Sequence, residues 1–200
     1  MQKLFLLLIV FAFSFNTNAH EGLHVGEAAS DFKLKNIDGK MVSLSDYKDA
    51  KGYIVIFTCN HCPYAKAYED RIIALDKKYA KLGFPVIAIN PNDAVQYPED
   101  DFESMKVRAK EKGFTFPYVH DETQEVARKY GAIKTPHIFV LQKVNQQYIT
   151  RFTGAIDDNW EDATAVNMKY TEAAVDALLN GTELVYQSTK AIGCSIKWKK

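Results

Sequence analysis

The sequence has no excess of either charge: 25 Lys and Arg stand against 25 Asp and Glu. Its longest basic stretch is the closing Lys197-Trp198-Lys199-Lys200, so electrostatics point neither to nucleic acid nor to an anionic membrane surface as partner. Cysteine is scarce, 3 in 200 residues, which excludes a disulfide-dense miniprotein. Glycine (10) and proline (6) are too few for collagen or low-complexity disorder. A second Cys-x-x-Cys is missing, so a paired zinc site lacks partner thiolates at the usual spacing. Internal repeats and linkers are absent too. What is there is an ordinary globular composition, 47% hydrophobic, suited to a small-molecule or protein substrate.

One apolar run, residues 4–13, follows Met1-Gln2-Lys3 and precedes the short residues Thr17, Asn18 and Ala19. This is the pattern of a secretory signal peptide over residues 1–19, cleaved after Ala19, leaving residues 20–200 as one domain. The run is shorter than the roughly 20 residues a bilayer span needs, so a membrane is met only through that segment if it stays uncleaved. Export to the periplasm or another extracytoplasmic space exposes thiols to oxidation, and an odd count leaves at least one of them unpaired or engaged with another molecule.

The periodicity predicts alternating strands and helices. Phe32, Leu34 and Ile37, then Asp38-Gly39, then Met41, Val42 and Leu44 read as a short hairpin, with a helical turn at residues 45–48. Residues 53–57 read as a strand buried on both faces. Ala65, Tyr68, Ile72, Leu75, Tyr79 and Leu82 recur at helical spacing until Gly83, and residues 85–89 read as the next strand, completing a β-α-β unit. A polar helix over 99–112, a short strand over 116–119 and a helix over 123–130 ending at Gly131 follow. Residues 137–141 and 148–152 read as strands turned by Asn145-Gln146, and a last helix over 163–179 buries Ala165, Met168, Ala173, Val175 and Leu178. The class is a mixed α/β sandwich.

Within this frame Cys59-Asn60-His61-Cys62 directly follows the buried strand and opens the amphipathic helix, and Thr135-Pro136 immediately precedes a returning strand. That combination resembles the thioredoxin fold. Val25-Gly26-Glu27-Ala28-Ala29-Ser30-Asp31-Phe32, with Asp38-Gly39 and Ser43-Leu44, resembles its redoxin branch, which includes thiol-specific antioxidant and peroxiredoxin-like proteins. The ending Gly193-Cys194-Ser195-Ile196-Lys197-Trp198 resembles a peroxiredoxin-like subgroup. The resemblance implies a three-layer sandwich with a mixed central sheet, an N-terminal hairpin extension and a helix-strand insertion between residues 89 and 131. It also implies a cis bond before Pro136 and a substrate strand laid against Thr135, in the manner of strand addition.

The chemistry follows from residue types. A thiol at a helix N-terminus meets unpaired N–H groups and the positive end of the dipole, so Cys59 is the expected attacking thiolate. Cys62 is placed to resolve the mixed disulfide, and a protonated His61 would further favour the Cys59 thiolate. The blander reading of the motif is half a zinc site or an inert disulfide, but Cys194, His120 and His137 are scattered, and no metal or other cofactor is expected. His137 reads better as a packed strand residue than as a partner of the thiols, and His20 and His24 as a polar terminus. Cys194 is either an additional functional thiol, resolving an oxidised Cys59 or bridging to another molecule, or a half-buried free one.

Three functions compete. The expected one is an exported thiol-disulfide oxidoreductase acting on protein disulfides and reloaded by an upstream redox partner. The alternative is a peroxiredoxin-like thiol peroxidase with antioxidant activity, passing through a sulfenic acid. Here the sequence departs from the family pattern: Ile56 stands three residues before Cys59, Cys59 stands three before Cys62, and Pro136 occupies the place of the expected Arg, although Cys62-Pro63 echoes the peroxiredoxin Cys-Pro. The third is a copper carrier using Cys59, Cys62 and a histidine.

Overall fold

A computed structural model describes residues 22–200. The signal-peptide reading of residues 1–19 falls outside the described residues. Among them, no helix is long and apolar enough to cross a membrane.

Ten strands and four α-helices occur among the described residues, in chain order: β1 (Ala28–Ala29), β2 (Leu34–Asn36), β3 (Met41–Val42), β4 (Gly52–Phe57), α1 (Pro63–Tyr79), β5 (Val86–Asn90), α2 (Phe102–Lys112), β6 (Tyr118–His120), α3 (Glu125–Tyr130), β7 (Lys134–Thr135), β8 (His137–Val144), β9 (Gln147–Gly154), α4 (Tyr170–Asn180) and β10 (Cys194–Ser195). Eight strands form one mixed sheet in the order β1-β9-β8-β4-β5-β6-β2-β3, and β7 and β10 form a separate two-stranded ladder. This is a thioredoxin-like sandwich. The β4-α1-β5 unit pairs in parallel as predicted, from Ile54 opposite Val86 to Phe57 opposite Ile89.

The layers follow from period-two alternation along the central strands. Ile54 and Ile56 of β4, Val86 and Ala88 of β5, and Ile138 and Val140 of β8 enter one core with Tyr68, Ile72 and Tyr79 of α1, Met105 of α2 and Val175 of α4. The intervening Tyr53, Val55, Phe57, Ile87, Ile89, Phe139 and Leu141 enter the other with Val126, Ala127 and Tyr130 of α3, Phe32, Leu44 and, from the far end of the chain, Ile196. Both faces of β4 are thus covered, which is why every one of its residues is buried. Truncating a side chain such as Ile72 to Ala would cost about 2–5 kcal/mol.

Helix α1 starts where expected because Pro63 occupies its first turn, where a missing N–H costs nothing, and Cys62 is the extended N-cap. It tightens into a 3-10 turn at Ala80–Leu82 and stops at Gly83, whose φ of 94° is left-handed. The inserted helix α2 is tied back to α1 by a two-pronged ion pair, Arg108 Nε and Nη2 donating to Glu69 Oε1 and Oε2 at 2.7 and 2.6 Å. The hairpin of β2 and β3 forms at the sheet edge beyond β6. The turn between β8 and β9 sits on Asn145 and Gln146, both at positive φ.

The start of the last helix needs correction. The last helix begins at Tyr170, not at residue 163: Ala163–Ala165 is only a 3-10 turn capped by Asp162, whose side chain accepts from Thr164 N–H. Its buried face therefore carries Ala174 and Val175, while Ala165 and Ala173 are exposed. The end of the chain returns across the molecule as β10 and pairs with β7.

Candidate active site

The loop 58–62 leaves the carboxyl end of β4, the position where open α/β sheets gather their ligands. Its shape is set by one buried carboxylate. Asp100 Oδ1 accepts from the backbone N–H of Asn60 at 2.6 Å and of His61 at 3.3 Å. Asp100 Oδ2 accepts from Asn92 Nδ2 at 2.8 Å and pairs with His61 Nδ1 at 2.5 Å. Asn60 adds two more moorings: its Nδ2 donates to the Glu99 carbonyl at 2.7 Å, and its Oδ1 accepts from the Tyr118 hydroxyl at 2.9 Å. His61 is further held by stacking on Tyr97, with ring centroids 4.9 Å apart. Asp100 carries no sequence signal of its own; it lies in the acidic run Glu99-Asp100-Asp101 and becomes recognisable only once the fold buries it.

Thr135 faces the cysteines, as the resemblance implies, and the Thr135–Pro136 peptide is cis. Its hydroxyl lies 3.1 Å from Cys59 Sγ, and its carbonyl oxygen 3.3 Å from Cys62 Sγ. Cys62 can donate to that carbonyl only as a thiol. In this structure it has no proton to give, because it is disulfide-bonded to Cys194, 132 residues away, with 6.1 Å between the Cα atoms.

This pairing corrects the expected Cys59–Cys62 bond. Cys59 is the free thiol, 3% exposed, and Cys62 is fully buried. Cys194 belongs to β10, which pairs antiparallel with β7 and sets Cys194 opposite Thr135. It is neither a terminal free thiol nor a partner of Cys59.

Burial also reverses the expected acidity of Cys59. Desolvation pushes its thiol up to about 11, and the Asp100 charge adds to the rise. The Thr135 hydroxyl and the N–H groups of Cys62 and His61 act in the opposite direction without prevailing. The donors expected of a helix N-terminus are present, but the His61 ring is held by Asp100 instead of serving Cys59, and the thiol is almost wholly buried. In this oxidised form Cys59 is a resting thiol.

Cys59, His61 and Asp100 also place a sulfur, a nitrogen and an oxygen within 4.8 Å of one another, the one cluster among the described residues able to offer three metal ligands. Its carboxylate is already committed to four donors. His137 stays out of the site, as the packed-strand reading holds: Ile133 N–H donates to its Nδ1 at 3.4 Å and its Nε2 meets the Thr153 hydroxyl at 3.1 Å. Burial pushes His137 down to about 4, leaving it neutral.

A thioredoxin-like sheet that delivers three cysteines to the end of its central strand defines a redox enzyme of the thiol class. The chain belongs to the AhpC/TSA family, which matches residues 25–160. It is 28% identical over 151 residues to the thiol-disulfide oxidoreductase ResA of Geobacillus thermodenitrificans, covering 72% of this chain and 80% of that protein. It is 31% identical over 110 residues to the chloroplastic peroxiredoxin Q of Triticum aestivum, covering 53% and 45%. Among solved structures, an uncharacterized conserved protein from Geobacillus kaustophilus superposes with a TM-score of 0.81 at 40% identity, covering 88% of this chain and 93% of the other.

Proposed function

We propose that the protein is an exported thiol-disulfide oxidoreductase that exchanges electrons with protein disulfides through Cys59 and Cys62. The observation that carries this reading is the grouping of both sulfurs on Thr135, one at its hydroxyl and the other at its carbonyl. In the reduced protein Cys59 attacks a substrate disulfide, and the departing sulfur leaves as a thiol. Cys62 then attacks Cys59 Sγ and releases the reduced substrate. Thr135 and Pro136 form the edge against which an extended peptide is held, and His61, fixed on Asp100, keeps the motif in place. The ResA relatives support the reaction class. The apolar segment of residues 4–13 supports export.

The test is turnover of insulin disulfides with dithiothreitol as reductant. Cys59→Ser is expected to abolish it, and Cys62→Ser to accumulate a mixed disulfide on Cys59. Full turnover by Cys59→Ser would overturn the reading.

A second reading, thiol peroxidase, is favoured by the match to peroxiredoxin Q. It requires Cys59 to meet peroxide as a thiolate, and Ile56 and Pro136 stand where the family pattern places residues that activate peroxide.

A further inference from the structure

The last segment of the chain is built into the site. The backbone N–H of Ile196 donates to the Ile133 carbonyl at 3.2 Å, and that of Lys197 to Asn92 Oδ1 at 2.9 Å. The Lys197 carbonyl accepts from Asp93 N–H at 2.9 Å and from Gln124 Nε2 at 2.8 Å, and Gln124 Oε1 accepts from Lys199 N–H at 2.8 Å. Gln124 is itself buried and held at positive φ. Ile196 enters the core, and Arg128 lies over the Trp198 ring at 4.4 Å. Gly193 runs so close to Thr135 and Pro136 that a Cβ there would collide with the Thr135 carbonyl. An unrelated free thiol at a chain end would need none of this.

Resting on the oxidoreductase reading above, we infer that Cys194 is a third redox thiol, which takes the disulfide over from Cys59 and Cys62 and is the point at which a dithiol reductant reloads the enzyme. After substrate has been reduced, the protein holds a Cys59–Cys62 bond. The Cys194 thiolate attacks Cys62 Sγ; the Cys62–Cys194 bond forms, the Cys59–Cys62 bond breaks, and Cys59 leaves as a thiolate that takes a proton. Two electrons have passed to the substrate, and the pair oxidised at the end is Cys62 and Cys194, the state described here. Cys194 is the most exposed of the three cysteines, half-buried where Cys59 and Cys62 are buried, so one thiol of the reductant attacks its sulfur, releasing Cys62. The second thiol of the reductant then frees Cys194, leaving the reductant as a disulfide. While the bond is closed, β10 occupies the edge of Thr135 that a substrate strand would take. Exchange with substrate and reloading therefore happen at different sulfurs and in different states of the tail.

The test maps thiols by mass spectrometry after acid quenching and alkylation. Reduced full-length mature protein is mixed with one equivalent of oxidised glutathione. Wild type is expected to finish with Cys62 bonded to Cys194 and Cys59 alkylated. Cys194→Ser should stop at a Cys59–Cys62 bond, and Cys62→Ser at glutathione on Cys59. Oxidised wild type given reduced glutathione should carry the adduct on Cys194. Wild type finishing as Cys59–Cys62 with Cys194 alkylated would overturn the relay and leave the oxidoreductase reading intact. So would a Cys62–Cys194 bond that stays closed throughout insulin turnover, or one that forms in Cys59→Ser as fast as in wild type. Failure of Cys62→Ser to take glutathione at Cys59 would overturn the oxidoreductase reading itself. The wild-type arms need no variant to fold.

Discussion

Cys194 stands directly opposite Thr135 in the ladder that the end of the chain forms with the loop before Pro136. The same threonine touches Cys59 through its hydroxyl and approaches Cys62 through its carbonyl. One residue thus lies beside all three cysteines, and Cys194 packs against the buried pair.

Replacing Gly193 tests that packing. Gly193→Val puts side-chain atoms onto the Thr135 carbonyl, so β10 is expected to leave the ladder while the eight-stranded sheet stays folded. Limited proteolysis should then cut the C-terminal segment earlier, and iodoacetamide should reach Cys59 faster than in wild type under oxidising conditions. Unchanged protection of both would show that the tail does not cover the site.

Cys59 of the oxidised protein is expected to alkylate with an apparent pKa near 11. The neutral thiol is the form that burial favours, so at pH 8 only roughly one thousandth is thiolate. Reduction frees β10 from its covalent anchor and should move the titration down towards the ordinary thiol range of about 8.5. A midpoint at or below that range in the oxidised protein would contradict the account.

Asp100→Asn removes a charge that raises Cys59 and also breaks the carboxylate that shapes the loop. The alkylation midpoint should fall. Stability should fall too, by about 1–3 kcal/mol, because an amide N–H₂ would face a donor from His61 or Asn92. The pH profile separates the two effects, since a purely structural role would leave the midpoint where it was.

His137 gives a stability prediction of definite sign. Its folded value of about 4 lies below the ordinary 6.5, so the unfolded chain takes up the proton first and stability is lost as pH falls through that window. At about 1.4 kcal/mol per unit this amounts to roughly 3 kcal/mol between pH 7 and pH 4. In denaturant melts wild type should lose roughly 3 kcal/mol relative to His137→Gln between pH 7 and pH 4, because Gln takes up no proton in either state. Parallel curves would mean that His137 is not buried neutral.

The strand, motif and helix from residue 52 to 79 are legible in the sequence because both periodicities are strong there and Pro63 marks the helix start. The place of Thr135 is legible through the family resemblance. The partner of Cys62 is not, because β10 is two residues long and its pairing joins residues 132 apart; neither alternation nor spacing records such a contact. Asp100 is illegible for a related reason: its role depends on three tertiary contacts, with Asn60, His61 and Asn92. The acidity of Cys59 is not legible either, because a helix terminus favours thiolate only where desolvation does not outweigh it. The start of α4 is hidden because Ala163 and Ala165 suit a helix, whereas Asp162 caps only a 3-10 turn.

The central claim is that these cysteines exchange with disulfides. Reduced protein should be mixed in separate stopped-flow runs with a protein disulfide and with hydrogen peroxide, following loss of free thiol, with dithiothreitol as control. The account predicts oxidation by the disulfide that is lost in Cys59→Ser, and reaction with peroxide no faster than the control. Rapid oxidation by peroxide that depends on Cys59, with no reaction towards the disulfide, would contradict it.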